Sequence, residues 1–83
     1  MSTDMETITR LIVETLVANP KVTRPVVGAT VIVEDLGLDS LAVMNFVMQI
    51  EDKLDVSLPL DRLADVRTVD DLAHCFAQLK AQS

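Results

Sequence analysis

The stretch Gly37-Leu38-Asp39-Ser40-Leu41 marks the place where a long irregular segment ends and the most apolar helical pattern of the chain begins. Beyond it, Val43, Phe46, Val47, Ile50 and Leu54 share one face of a helix predicted from Ser40 or Leu41 to about Leu54. Gly37 supplies a conformationally permissive position before the turn. Asp39 and Ser40 are residue types that cap helices by accepting bonds from otherwise unpaired N–H groups. Ser40 thus stands at a helix N-terminus, where free N–H groups and the positive end of the helix dipole favour an anion, and a phosphate ester on its hydroxyl is electrostatically supported. We read Ser40 as the functional residue, although a plain helix cap accounts for the same Asp-Ser pair.

Serine nucleophile chemistry fits this stretch poorly. A hydrolase elbow needs Gly-x-Ser-x-Gly after a strand, with a histidine base and an oxyanion hole. No such glycine pair flanks Ser40, and the only histidine, His74, falls in a later helix. No catalytic residue is assigned.

Towards the N-terminus, residues 19–39 hold Pro20, Pro25, Gly28 and Gly37 with Val26, Val27, Val31, Ile32 and Val33 between them. A strand at 31–33 is conceivable but has no partner of comparable quality. The segment is read as a long ordered loop packed over the core by its valines, of the kind that often carries function. Before it, Thr3 and Glu6 have the spacing of a capping box, and Met5, Ile8, Ile12 and Leu16 recur at helical intervals with Leu11 and Val13 beside them. A first helix is predicted from about residue 4 to 18, ended by Asn19-Pro20.

Towards the C-terminus, Val56-Ser57-Leu58-Pro59 breaks the pattern, and Leu60 to Asp65 has room for one or two helical turns. Thr68 with Asp71 is a capping-box variant, and Val69, Leu72, Phe76 and Leu79 mark a last helix to about residue 80. The expected fold is all-α: a small four-helix bundle, three longer helices plus one short one, with the long ordered loop between the first and second helices. Its interior would be Ile8, Ile12, Leu16, Phe46, Ile50, Leu54, Leu58, Leu63, Val66, Val69, Leu72 and Phe76. Leu41, Met44 and Met48 recur beside the buried face of the second helix. They form either the edge of the core or an exposed apolar strip suited to several partners.

Composition sets the outer bounds. Eighty-three residues fill one core, so residues 1–83 are read as a single domain, and 49% apolar residues are too many for a disordered acidic tail. Charges interrupt every apolar stretch, so no membrane insertion is expected. Net charge is −6, and between Glu34 and Asp71 ten acidic residues face three basic ones. Basic partner surfaces are favoured and nucleic acid is disfavoured, since phosphates would be repelled. Cys75 is the only cysteine, which excludes an internal disulfide or a cysteine pair for zinc, and no metal site is expected. It reads as a core or boundary residue, and His74 as a solvated one. A reducing cytoplasm fits, as no signal or transit segment is visible at the N-terminus.

These features together resemble the acyl carrier proteins. The resemblance rests on Asp39-Ser40-Leu41 preceded by Leu36-Gly37-Leu38, on the amphipathic helix ending in Glu51-Asp52, on the Leu58-Pro59 break and on Thr68-Val69 opening the last helix, so it extends over nearly the whole chain. It implies that Ser40 carries 4′-phosphopantetheine, flanked by Asp39, with a phosphopantetheinyl transferase using coenzyme A and a divalent metal as the first partner. The arm's thiol would hold an acyl group as a thioester for acyl-loading and acyl-transferring enzymes with basic docking surfaces, the carrier itself being a non-catalytic monomer. Partner-binding residues would be Leu41, Met44, Met48, Glu51 and Asp52, and an acyl pocket would draw on Phe46, Ile50, Leu54, Leu63, Val66, Leu72 and Phe76. Ala42 and Asn45 stand where carriers of fatty acid synthesis commonly bear acidic residues. A dedicated lipid or secondary-metabolite pathway is therefore expected. The alternatives are a peptidyl or aminoacyl carrier and, from another class, an unmodified helical adaptor binding a partner helix.

Crowded carboxylates repel one another in the folded state, so modest salt or divalent cations should raise the melting temperature. Thermal unfolding across a salt series checks this; a flat response would refute it.

Overall fold

Ile8, Ile12 and Leu16 form the fully buried stripe of the first helix, α1 (Met5–Val17), while Met5 at its head stays exposed. A computed structural model describes residues 5–82; Thr3, the expected cap of α1, lies outside the described residues. The helix ends where proline requires it: Asn19 N–H donates to the Leu16 carbonyl (3.0 Å), and the Asn19 side-chain oxygen accepts from Lys21 N–H (2.9 Å) in a turn around Pro20.

The segment after α1 contains a helix that sequence reading did not expect. Val31 makes a lone antiparallel bridge with Thr68, and the chain then winds into α2 (Ile32–Leu36). The conceivable strand at 31–33 is thus reduced to a single residue. The local reason is visible in the side chains. Ile32 and Leu36, four apart, are both buried, the Asp35 carboxylate accepts from Val31 N–H (2.8 Å), and Gly37 closes the helix in the left-handed conformation (φ 65°). Backbone bonds hold the segment to the start of the last helix: Ile32 N–H to the Arg67 carbonyl (2.9 Å), Val69 N–H to Thr30 (3.1 Å) and Asp70 N–H to Gly28 (2.9 Å). A Cβ on Gly28 would meet the Asp70 carboxylate, which would have to turn aside towards solvent.

Two helices complete the frame. In α3 (Ser40–Leu54) the residues Phe46, Val47, Ile50 and Leu54 are buried. In α5 (Val69–Gln82) they are Val69, Leu72, Ala73 and Phe76. Between them, α4 (Leu60–Leu63) is a single turn opened by Pro59. Helix α1 packs chiefly on α5 and secondarily on α3, and α2 leans on α3. The expected all-α bundle is therefore found, with α2 as an additional short helix. Of the expected interior, Leu63 and Val66 are only half-buried, while Ile32, Leu36, Leu38 and Ala73 enter the core unforeseen. Cys75 is half-buried at the core's edge, where burial pushes its thiol above the ordinary range; His74 is exposed. No helix among the described residues is long and apolar enough to cross a membrane.

The capping box of α5 forms as its residues suggest. Asp71 N–H donates to the Thr68 hydroxyl (3.1 Å), and the Asp71 carboxylate accepts from the N–H groups of Thr68 and Arg67 (both 3.2 Å). Those backbone donors, Thr68 first, lower the Asp71 pKa. Because the folded value is depressed, the stability it contributes is complete above the unfolded value of about 3.9 and is lost as pH falls through the lower folded one. Urea unfolding of wild type and Asp71→Asn across that range should show a shallower acid decline in the variant; parallel declines would refute the assignment. In the core, Phe76→Ala should cost about 3–5 kcal/mol in the same measurement, and a loss near zero would mean that the α1–α5 contact is not what holds the bundle.

Candidate functional site

Helix α3 begins with a cap that uses its aspartate and leaves its serine free. Asp39 is extended (φ −83°, ψ 175°), its carboxylate accepts from Ala42 N–H (2.8 Å), and its carbonyl accepts the first helical bond from Val43 (3.0 Å). Ser40 is the first residue of α3 and is exposed. In that first turn the helix offers no carbonyl to the leading N–H groups, so Ser40 sits at the positive end of a fifteen-residue helix. The Gly37 turn and buried Leu38 fix how the chain arrives there.

Depressions open on either flank of α3. The first, about 250 Å³, is apolar and starts at Ser40 itself. Ile32 and Val33 line it from α2, Val43, Met44, Phe46 and Val47 from α3, and Leu60, Leu63, Ala64, Val66 and Leu72 from α4 and beyond. The second, about 400 Å³, lies between the end of α1, the Asn19–Lys21 turn and α3, and has Asp39, Leu41, Ala42, Asn45, Phe46 and Gln49 in its walls. A third hollow, at the far end of α3, is bordered by Met48, Glu51, Asp52 and Asp55. No cluster of His, Cys, Asp and Glu among the described residues could hold a metal ion.

The sequence-predicted residues divide along these lines. Phe46, Leu63, Val66 and Leu72 line the apolar cavity, whereas Ile50, Leu54 and Phe76 belong to the core and do not reach it. Leu41, Met44 and Met48 are exposed, at 68%, 42% and 59%, and so form a surface strip rather than the edge of the core. Asp52 is exposed as well, but Glu51 is half-buried with its carboxylate accepting from Leu58 N–H (2.7 Å). That bond gives Glu51 a structural task in holding the turn after α3. Ile32, Val33, Val43, Met44, Val47, Leu60 and Ala64 were not foreseen as cavity residues. Val43, Met44 and Val47 could have been found from their helical spacing with Phe46 and Ser40. The others needed the path of α2 and α4.

Comparison with known proteins bears on the same region. Residues 7–76 match the family described as "Phosphopantetheine attachment site". The chain is 49% identical over 49 residues to a probable acyl carrier protein of Caulobacter vibrioides, covering 59% of this chain and 57% of that one. It is 42% identical over 50 residues to an acyl carrier protein of Syntrophobacter fumaroxidans, covering 60% and 62%. Over 39 residues it is 59% identical to the anthracycline acyl carrier protein DpsG of Streptomyces peucetius, covering 47% and 46%. The chain thus spans about half the length of the curated relatives it matches. The residues present suit the group that this family carries: an exposed hydroxyl at a helix N-terminus, free of the capping bond that Asp39 makes, with depressions opening on both sides. The match over residues 7–76, together with the all-helical frame that supports it, shows that this chain belongs to the acyl carrier protein family, whose cofactor is covalently bound 4′-phosphopantetheine.

Proposed function

We propose that Ser40 is the attachment point and that the chain is a carrier, presenting acyl groups as thioesters on the phosphopantetheine arm to partner enzymes. The observation that carries this reading is the division of labour at the start of α3. Asp39 takes the cap, so the Ser40 hydroxyl is exposed at the helix N-terminus and borders the apolar cavity. A phosphodiester at Ser40 is favoured by the leading N–H groups and the helix dipole. The chain then contributes binding and reach rather than bond-making, raising the local concentration of its cargo at a partner's active site.

The cavity supports a hydrocarbon cargo of modest size, because apolar walls offer a polar chain no partners for its donors and acceptors. Partner enzymes, the phosphopantetheinyl transferase among them, would meet the exposed Leu41, Met44 and Met48 with apolar contacts, and Asp52 and the other exposed carboxylates with basic ones. Glu51 contributes less to such docking, since its carboxylate already serves Leu58. A single cytoplasmic domain acting as a monomer is part of the same reading. The pathway is a dedicated one, for lipid or secondary metabolite. The uncharged Ala42 and Asn45 favour this, as does the likeness to an anthracycline acyl carrier protein and, over 41 residues at 44% identity, to a non-reducing polyketide synthase.

Intact mass after incubation with coenzyme A and a broad-specificity phosphopantetheinyl transferase tests the assignment. Wild type should gain one phosphopantetheine and Ser40→Ala none. A folded wild type that gains nothing would leave the unmodified helical adaptor as the better reading. The loaded protein, offered to the acyl-loading enzymes of general fatty acid synthesis, should be a poor substrate that Asn45→Glu improves; equal loading of both would count against a dedicated pathway.

A further inference from the structure

The polar cleft on the opposite flank of α3 has no part in the proposed acyl carriage, and its chemistry differs from that of the apolar cavity. Its volume, about 400 Å³, falls within the roughly 300–1,000 Å³ of small-molecule sites. Asn45 and Gln49, four residues apart on α3, border it, and Asn19 and Lys21 face them from the turn after α1. Neither Asn45 nor Gln49 makes a side-chain hydrogen bond among the described residues, and Lys21 takes part in neither of the ion pairs found there, Arg10–Glu6 and Arg67–Glu34. The one carboxylate in its walls, Asp39, is already turned to Ala42 N–H.

On a chain of net charge −6, a hollow bearing a cation and free amides is a local exception. Asn and Gln side chains each present a donor pair and an acceptor, which is what a chain of secondary amides needs along its length. Lysine suits an anionic group at one end of such a chain. Asp39 and Leu41, the immediate neighbours of Ser40, both line this cleft, while Ser40 itself borders the apolar cavity, so a flexible group on Ser40 has one residue to cross to reach it. A phosphopantetheine arm has this composition: an anionic phosphodiester at the serine, then two amides.

We propose that this cleft receives the arm on Ser40 when it carries no acyl group, Lys21 standing beside the phosphodiester and Asn45 and Gln49 bonding the amides. The proposal rests on Ser40 being the attachment point. It assigns the two flanks of α3 different tasks, the polar one for the arm at rest and the apolar one for hydrocarbon. Isotope-filtered nuclear Overhauser spectroscopy on labelled protein carrying an unlabelled arm, its loading confirmed by mass, tests it. Contacts are expected from the arm to the side-chain amides of Asn45 and Gln49 and to Lys21. In an Asn45→Ala/Gln49→Ala protein, loaded alike and with unchanged circular dichroism, the contacts to Lys21 should disappear. Contacts only to Leu63, Val66 and Leu72, or none at all, would overturn the proposal while leaving Ser40 as the attachment point. Contacts to Lys21 that persist in the double variant would overturn the role of the two amides. A protein that gains no mass would overturn both readings.

Discussion

A chain segment that is partly buried between helices must find partners for its backbone polar groups, and here that requirement fixes the rest. Thr30 and Ile32 are both buried, and the segment around them meets its needs at the beginning of α5, through Gly28, Thr30 and Ile32 on one side and Arg67, Val69 and Asp70 on the other. Leaving such a buried group unpaired costs about 1–3 kcal/mol, so these bonds are hard to give up singly. With that seam closed, α2 has one place to lie, the left-handed turn at Gly37 has one direction to face, and Ser40 is delivered at a defined point. The position of the proposed attachment point is thus decided largely by residues at the other end of the chain.

Helix α3 joins this frame to its chemistry. Its buried side contributes Phe46, Val47, Ile50 and Leu54 to the core, and its first turns carry Ser40 between surfaces of unlike character. One flank meets the aliphatic side chains of α2 and α4. The other meets a proline turn with an asparagine and a lysine. The difference lies in how the neighbouring helices are built and ended. After α1 the chain must leave the α region at Asn19-Pro20, which exposes polar turn residues, whereas α4 is a single turn whose Leu60 and Leu63 border the space beside α3 and only partly fill it.

The longer helices were legible because each carries several turns of one apolar period, and no competing structure satisfies Ile8-Ile12-Leu16 or Val69-Leu72-Phe76 equally well. The start of α3 was legible too, since Asp-Ser after glycine is a local signal that needs no tertiary context. Helix α2 was not. Val31-Ile32-Val33 are β-branched and suggest a strand, and five residues are too few for a period to emerge. The burial of Ile32 and Leu36, the Asp35 bond to Val31 N–H and the left-handed Gly37 together tip that segment to helix. The cavity beside Ser40 was half-visible for the same reason: its α3 wall follows from spacing, while Ile32, Val33, Leu60 and Ala64 depend on how short elements pack. Glu51 illustrates the opposite error. An acidic residue near a helix end looks like surface charge until the chain folds back and brings Leu58 N–H to its carboxylate.

One side chain belongs to both flanks. Phe46, one of only two aromatic residues in the chain, lines the apolar cavity and the polar cleft alike. A guest that displaced this ring on entering one hollow would alter the shape of the other, and the two would then be linked through a single partition. Linkage of this kind is reciprocal: whatever factor an occupant on one side imposes on binding at the other is returned unchanged.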